Sequence, residues 1–183
     1  MAIKTENQIY ADIILFVNSC LTALDNSYPD KGFKNWQVLQ LNQPTKLTEI
    51  EPTIYVTATT KSRRGWQSRS YADTTAGYKR TDSFKEQVLV QFSALRRRDL
   101  NDTVSTLNSA DILEHLKTYM QNPYSLMDLR QLGYLIYQPT EVQSSDFIDD
   151  SDNFELMPSF NVTFILDQSL ISAQAAIDSI LIK

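Results

Sequence analysis

Phe84-Lys85-Glu86-Gln87-Val88-Leu89-Val90-Gln91-Phe92-Ser93-Ala94, running through Arg96-Arg97-Arg98 into a helical pattern, is the stretch on which the fold turns. Val88, Val90 and Phe92 fall on one side of a strand and Gln87, Leu89 and Gln91 on the other. That is the pattern of a sheet with one face against helices. Asp99 is placed to cap a helix over residues 99–120, in which Leu100, Val104, Leu107, Ala110, Leu113, Leu116 and Met120 form one apolar stripe.

Outward from this unit the same two periods recur. Residues 153–167 alternate, with Phe154, Leu156, Phe160, Val162, Phe164 and Leu166 on one side, and Pro158 predicts a bulge or an edge position within that strand. Residues 53–60 alternate too, with Ile54, Val56 and Ala58 on one face, and residues 36–41 and 134–137 predict shorter strands. Towards the N-terminus, Thr5 and Gln8 have capping-box spacing, and Ile9, Ile13, Phe16, Val17, Leu21 and Leu24 make the stripe of a first helix that ends before Pro29. Residues 125–132 predict a further short helix, and residues 171–183 fit a helix as well as a strand. The expected fold is α+β: one domain over residues 1–183, a mostly antiparallel sheet, two long helices packed on one face, and long loops.

A chain of 183 residues with ordinary apolar and charged fractions suits one core. No apolar run approaches the roughly 20 residues that span a bilayer, and polar Thr5, Glu6, Asn7 and Gln8 interrupt any signal-peptide order, so a cytoplasmic origin without membrane contact is expected. Cys20 is the only cysteine, which excludes an internal disulfide, and it falls among the apolar positions of the first helix.

Charge is unevenly distributed. Residues 61–81 show neither period and read as a long loop or an irregular β-extension, mobile in a free monomer. They hold Lys61, Arg63, Arg64, Arg69, Lys79 and Arg80, interleaved with Trp66, Tyr71 and Tyr78. Residues 139–152 read as an acidic loop carrying Asp146, Asp149, Asp150 and Asp152, and no Lys or Arg occurs from Gln131 to Ile182. Basic loop and acidic loop are therefore candidate interfaces between copies of the chain. Trp, Tyr and Arg together also suit single-stranded nucleic acid, but the acidic net charge of −5 favours a protein partner.

Catalytic chemistry has little to stand on. His115 is the only histidine, so neither a multi-His metal site nor a Cys–His pair is supported. The aspartates around residue 150 lack the alternating ligands, Gly and Glu of a calcium-binding loop. No catalytic residue, cofactor or metal site is predicted.

The order of elements resembles that of bacteriophage neck and tail terminator (tail completion) proteins. The likeness lies in the N-terminal amphipathic helix, the Pro52-Thr53-Ile54-Tyr55-Val56 strand, a long variable loop, Glu86-Gln87-Val88-Leu89-Val90-Gln91-Phe92 leading into a helix, and a closing Phe160-Asn161-Val162-Thr163-Phe164 strand. The resemblance implies a structural virion protein, not an enzyme. It implies a hexameric ring at the neck that caps the tail tube and docks the tail to the head connector. Tube or sheath and the connector would be neighbours, with DNA passing through the lumen unread. The alternatives are a tail-tube or baseplate subunit and, third, a nucleic-acid-binding module.

Overall fold

The computed structural model describes residues 3–41, 52–74, 77–96, 106–144, 146–148 and 154–174. The first helix, α1 (Glu6–Ser27), starts where the capping box places it. Thr5 Oγ accepts from the Gln8 N–H and Gln8 Oε1 accepts from the Thr5 N–H, at 3.3 and 2.8 Å. Two short 3₁₀ turns, Pro29–Lys31 and Phe33–Asn35, follow. Gly32 joins them at φ +72°, a left-handed conformation that glycine adopts without a Cβ clash. Strand β1 (Gln37–Gln40) then pairs parallel to β2 (Thr53–Thr74).

β2 turns back into β3 (Gly77–Leu95), and β3 pairs antiparallel with β7 (Ser159–Gln174). Between them in the chain lie α2 (Ser109–Met120), α3 (Pro123–Gln131), β4 (Tyr134–Tyr137), β5 (Asp146–Ile148) and β6 (Phe154–Leu156). The main sheet has the order β1-β2-β3-β7-β4, antiparallel except at β1, and β5 and β6 form a separate two-stranded sheet. The α+β class with a mostly antiparallel sheet is the expected one.

One face of the sheet is sealed by the helices. Ile54, Val56, Val88, Val90, Phe92, Phe160, Val162 and Phe164 are all buried, as the alternation requires, and they join the apolar stripes of α1 and α2 in a single core. Phe92 stacks on Phe160 at 5.2 Å between ring centroids and meets Phe164 edge-on, while Tyr134 of β4 meets Phe164 from the other side. Burying such side chains is worth roughly 1.5–3 kcal/mol each. Cys20 packs in α1 as a small hydrophobe, and burial pushes its thiol up to about 12.

Three expectations need correction. Helix α2 begins at Ser109, not after Asp99: Asn108 is its N-cap, with Oδ1 accepting from the Ala110 and Asp111 N–H groups at 2.8 Å each. Leu107 is buried just ahead of that helix, whereas Asp99, Leu100 and Val104 lie outside the described residues. Among the described residues only α1 is therefore long. The alternation over residues 153–167 belongs to two strands, because Pro158 carries no N–H for a ladder. The chain leaves β6 there and enters β7, with the Pro158 carbonyl accepting from the Ala94 N–H. Finally, the acidic stretch expected as a loop holds the short strand β5, whereas residues 61–74 and 77–81 continue β2 and β3, the irregular β-extension that their sequence leaves open beside a loop.

A strand arm as candidate docking surface

β2, β3 and β7 run on past the helices as a three-stranded arm. Register between β3 and β7 is unbroken from Ser93 opposite Ser159 to Tyr78 opposite Gln174. β2 is the irregular member. At the base of the arm the register slips between Ala58 and Thr60, opposite Val90 and Leu89, and the freed Ala58 N–H donates to the Tyr10 hydroxyl at 2.8 Å. Further out, Arg64 stands opposite Lys85 but Ser68 opposite Ser83, so two extra residues bulge from β2. Gly65 opens that bulge at φ +76°.

Polar contacts, not apolar burial, hold the arm, and two buried acids organise them. Glu86 receives a hydrogen bond from Gln168 Nε2 at 2.9 Å and an ion pair from Lys61 Nζ at 3.2 Å, and Gln168 Oε1 in turn accepts from the Lys4 N–H at 3.0 Å. Lys4 Nζ reaches Asp12 at 2.6 Å and the Leu132 carbonyl at 2.7 Å and lies over the Tyr134 ring, so the start of the chain is bolted to the root of the arm. Further out, Asp82 is gripped by Arg80 at 2.8 Å and by Arg69 at 3.0 Å. Hydrogen bonds from Arg80 and then Arg69 outweigh desolvation and hold the Asp82 carboxyl below the usual carboxylate range.

These contacts sort the candidate residues. Arg69 and Arg80 are spoken for by Asp82, and Arg63 lies over the Phe84 ring at 4.3 Å. Arg64 and Lys79 are exposed, as is Tyr71, which stands opposite Arg80. Trp66, in the bulge, is 100% exposed. Tyr78 stands opposite Asp73 on one side and Gln174 on the other. Asp146 opens β5 opposite Leu156, and Asp149, Asp150 and Asp152 lie outside the described residues. Sequence reasoning missed Asp82 and Glu86 as anchors of the arm, although an acid two residues after Arg80 was a visible signal.

His115 is exposed and packs its ring edge-on against Phe33 at 5.5 Å, a surface aromatic contact. Among the described residues no group of three His, Cys, Asp or Glu side chains is arranged to hold a metal ion, and no described helix is long and apolar enough to cross a membrane.

No curated protein matches the chain. Among solved structures, it is similar to the sheath/tube terminator of an extracellular contractile injection system, PVC, in its extended state. That likeness has a TM-score of 0.44 and 12% sequence identity over 93% of this chain, which spans 61% of the other. The E217 gateway protein gp29 family matches residues 3–176, nearly the whole of the described fold. With the α+β core in place and the family match running from α1 to the end of β7, the chain belongs to the family of the phage E217 gateway protein gp29.

Proposed function

We propose that this chain is the subunit of a closed ring, a hexamer, at the neck of the virion, where it caps the tail tube and offers a docking face to the head connector. The observation that carries this reading is the arm. A core that already satisfies its own apolar residues extends three strands beyond itself, with exposed Arg64, Tyr71 and Lys79 and a fully exposed Trp66. Such aromatic and Arg side chains are the usual anchors of protein interfaces, and family membership supports a place in the tail. The neighbours are other copies of the chain, the tail tube or sheath, and the connector. DNA passes through the lumen without being read, and assembly takes place in the host cytoplasm without catalysis.

Electron microscopy of the purified full chain tests the reading. Closed rings of uniform size are the expected outcome. Open-ended stacks favour a tail-tube or baseplate subunit instead, and a particle whose main property is steeply salt-dependent DNA binding favours a nucleic-acid module.

A further inference from the structure

We infer that Trp66 is the anchor of a contact between two copies of this chain, entering the cleft between α1 and the base of the arm on the next copy. The indole stands bare in water on a bulge that interrupts the β2–β3 ladder. Nothing lies within 4 Å of where a Cβ would sit on Gly65, so crowding does not call for a glycine there; the positive φ of the bulge does. Bulges re-aim side chains at the expense of ladder hydrogen bonds. A Trp so displayed forfeits the burial of roughly 150–250 Å² through which aromatic side chains dominate interfaces.

The receiving surface lies at the other bulge of the same strand. A cleft of about 210 Å³ opens between Glu6, Ile9 and Tyr10 of α1 and Ala58, Thr60 and Lys61 of β2. That is below the roughly 300–1,000 Å³ of small-ligand sites and suits one large side chain. Ile9, Tyr10 and Ala58 offer an apolar wall, and Glu6 supplies an acceptor for the indole N–H. Glu6 also complements the charge of Arg63 and Arg64, which shortly precede Trp66 in sequence. The Trp66 of the same chain cannot fill this cleft, since residues 60 to 66 of a strand span roughly 20 Å. A side chain and a cleft on different parts of one molecule make a head-to-tail contact, which closes into a ring when the rotation permits. The inference thus rests on the ring reading and supplies its contact.

Sedimentation velocity across a concentration series, on full-length wild type, Trp66→Ala and Thr60→Phe, tests it. Emission from buried Trp36 serves as the control for folding in Trp66→Ala, and far-UV circular dichroism in Thr60→Phe. Either substitution is expected to weaken self-association at least about tenfold, the mark of an interface hot spot. An equimolar mixture of the two variants is expected to form a one-to-one dimer and nothing larger, because each such pair retains one intact Trp and one intact cleft. Rings of Trp66→Ala as stable as wild type overturn the inference and leave the ring reading standing. Open filaments of wild type that still depend on Trp66 do the reverse. A wild type that stays monomeric, or a mixture that stays monomeric although both variants are folded, overturns the contact.

Discussion

At the residue scale, two acids decide where the arm lies. Asp82 and Glu86 are buried, at 4% and 8% exposure, and each is surrounded by the cations and amides that a buried carboxylate requires. Because Arg80 and Arg69 lower the folded pKa of Asp82 below its ordinary 3.8, the unfolded arm binds a proton more readily than the folded one. The stabilisation from Asp82 is therefore complete above that ordinary value and is lost as the pH falls through the lower folded value. Comparing amide-exchange protection of residues 78–86 in wild type and Asp82→Asn checks this. Wild type should be better protected at pH 6, and the difference should shrink as the pH falls below 3.8; a difference that does not change with pH would mean that the charge of Asp82 contributes nothing.

Elements differ in how openly they declare themselves. Helix α1 is marked at both ends, by its capping box and by Pro29, and its apolar stripe is complete. Helix α2 is less plainly marked, because Leu107 continues the stripe of Leu113, Leu116 and Met120 ahead of the first helical residue. An apolar position at helical spacing is equally served by a residue that merely packs on the same core. Asn108, whose side chain satisfies two backbone N–H groups, is what begins the helix. Asn108→Ala should therefore cost about 1 kcal/mol in urea unfolding. A neutral result would place the start of the helix elsewhere. The arm was hidden for the opposite reason: with no core beneath residues 61–72 both faces stay polar, and the period-2 apolar signal that betrays a strand is missing.

For the whole molecule, the uneven charge bears on assembly. Intramolecular pairing of Arg69 and Arg80 leaves Arg63, Arg64 and Lys79 among the cations of the arm that other copies can use. We propose that, beside the Glu6 contact at the cleft, they also face the acidic segment of Asp146, Asp149, Asp150 and Asp152 on a neighbour. Single exposed pairs are worth only about 0–1 kcal/mol, so several must act together, and the effect should weaken with salt. Reversing Arg63 and Arg64 to Glu is expected to block ring formation, and adding Asp149→Lys and Asp150→Lys to the same chain to restore it in part, as read by sedimentation. Rings that survive the first reversal but no longer attach to tails would turn the arm towards the tube or connector instead.

Much of this protein could be read from residue order alone. The α+β class, the sealed sheet face from Ile54 to Phe164 and the first helix with its cap all followed from periodicity and caps, because a buried face imposes its period on every residue that contributes to it. What only the tertiary structure decided is the arm. Polar residues take strand conformation there because β3 holds a continuous register with β7, because Asp82 meets Arg69 and Glu86 meets Lys61 and Gln168 across strands, and because two bulges in β2 set Trp66 apart from the cleft at α1. These are pairings between strands, and no local pattern of side chains encodes them.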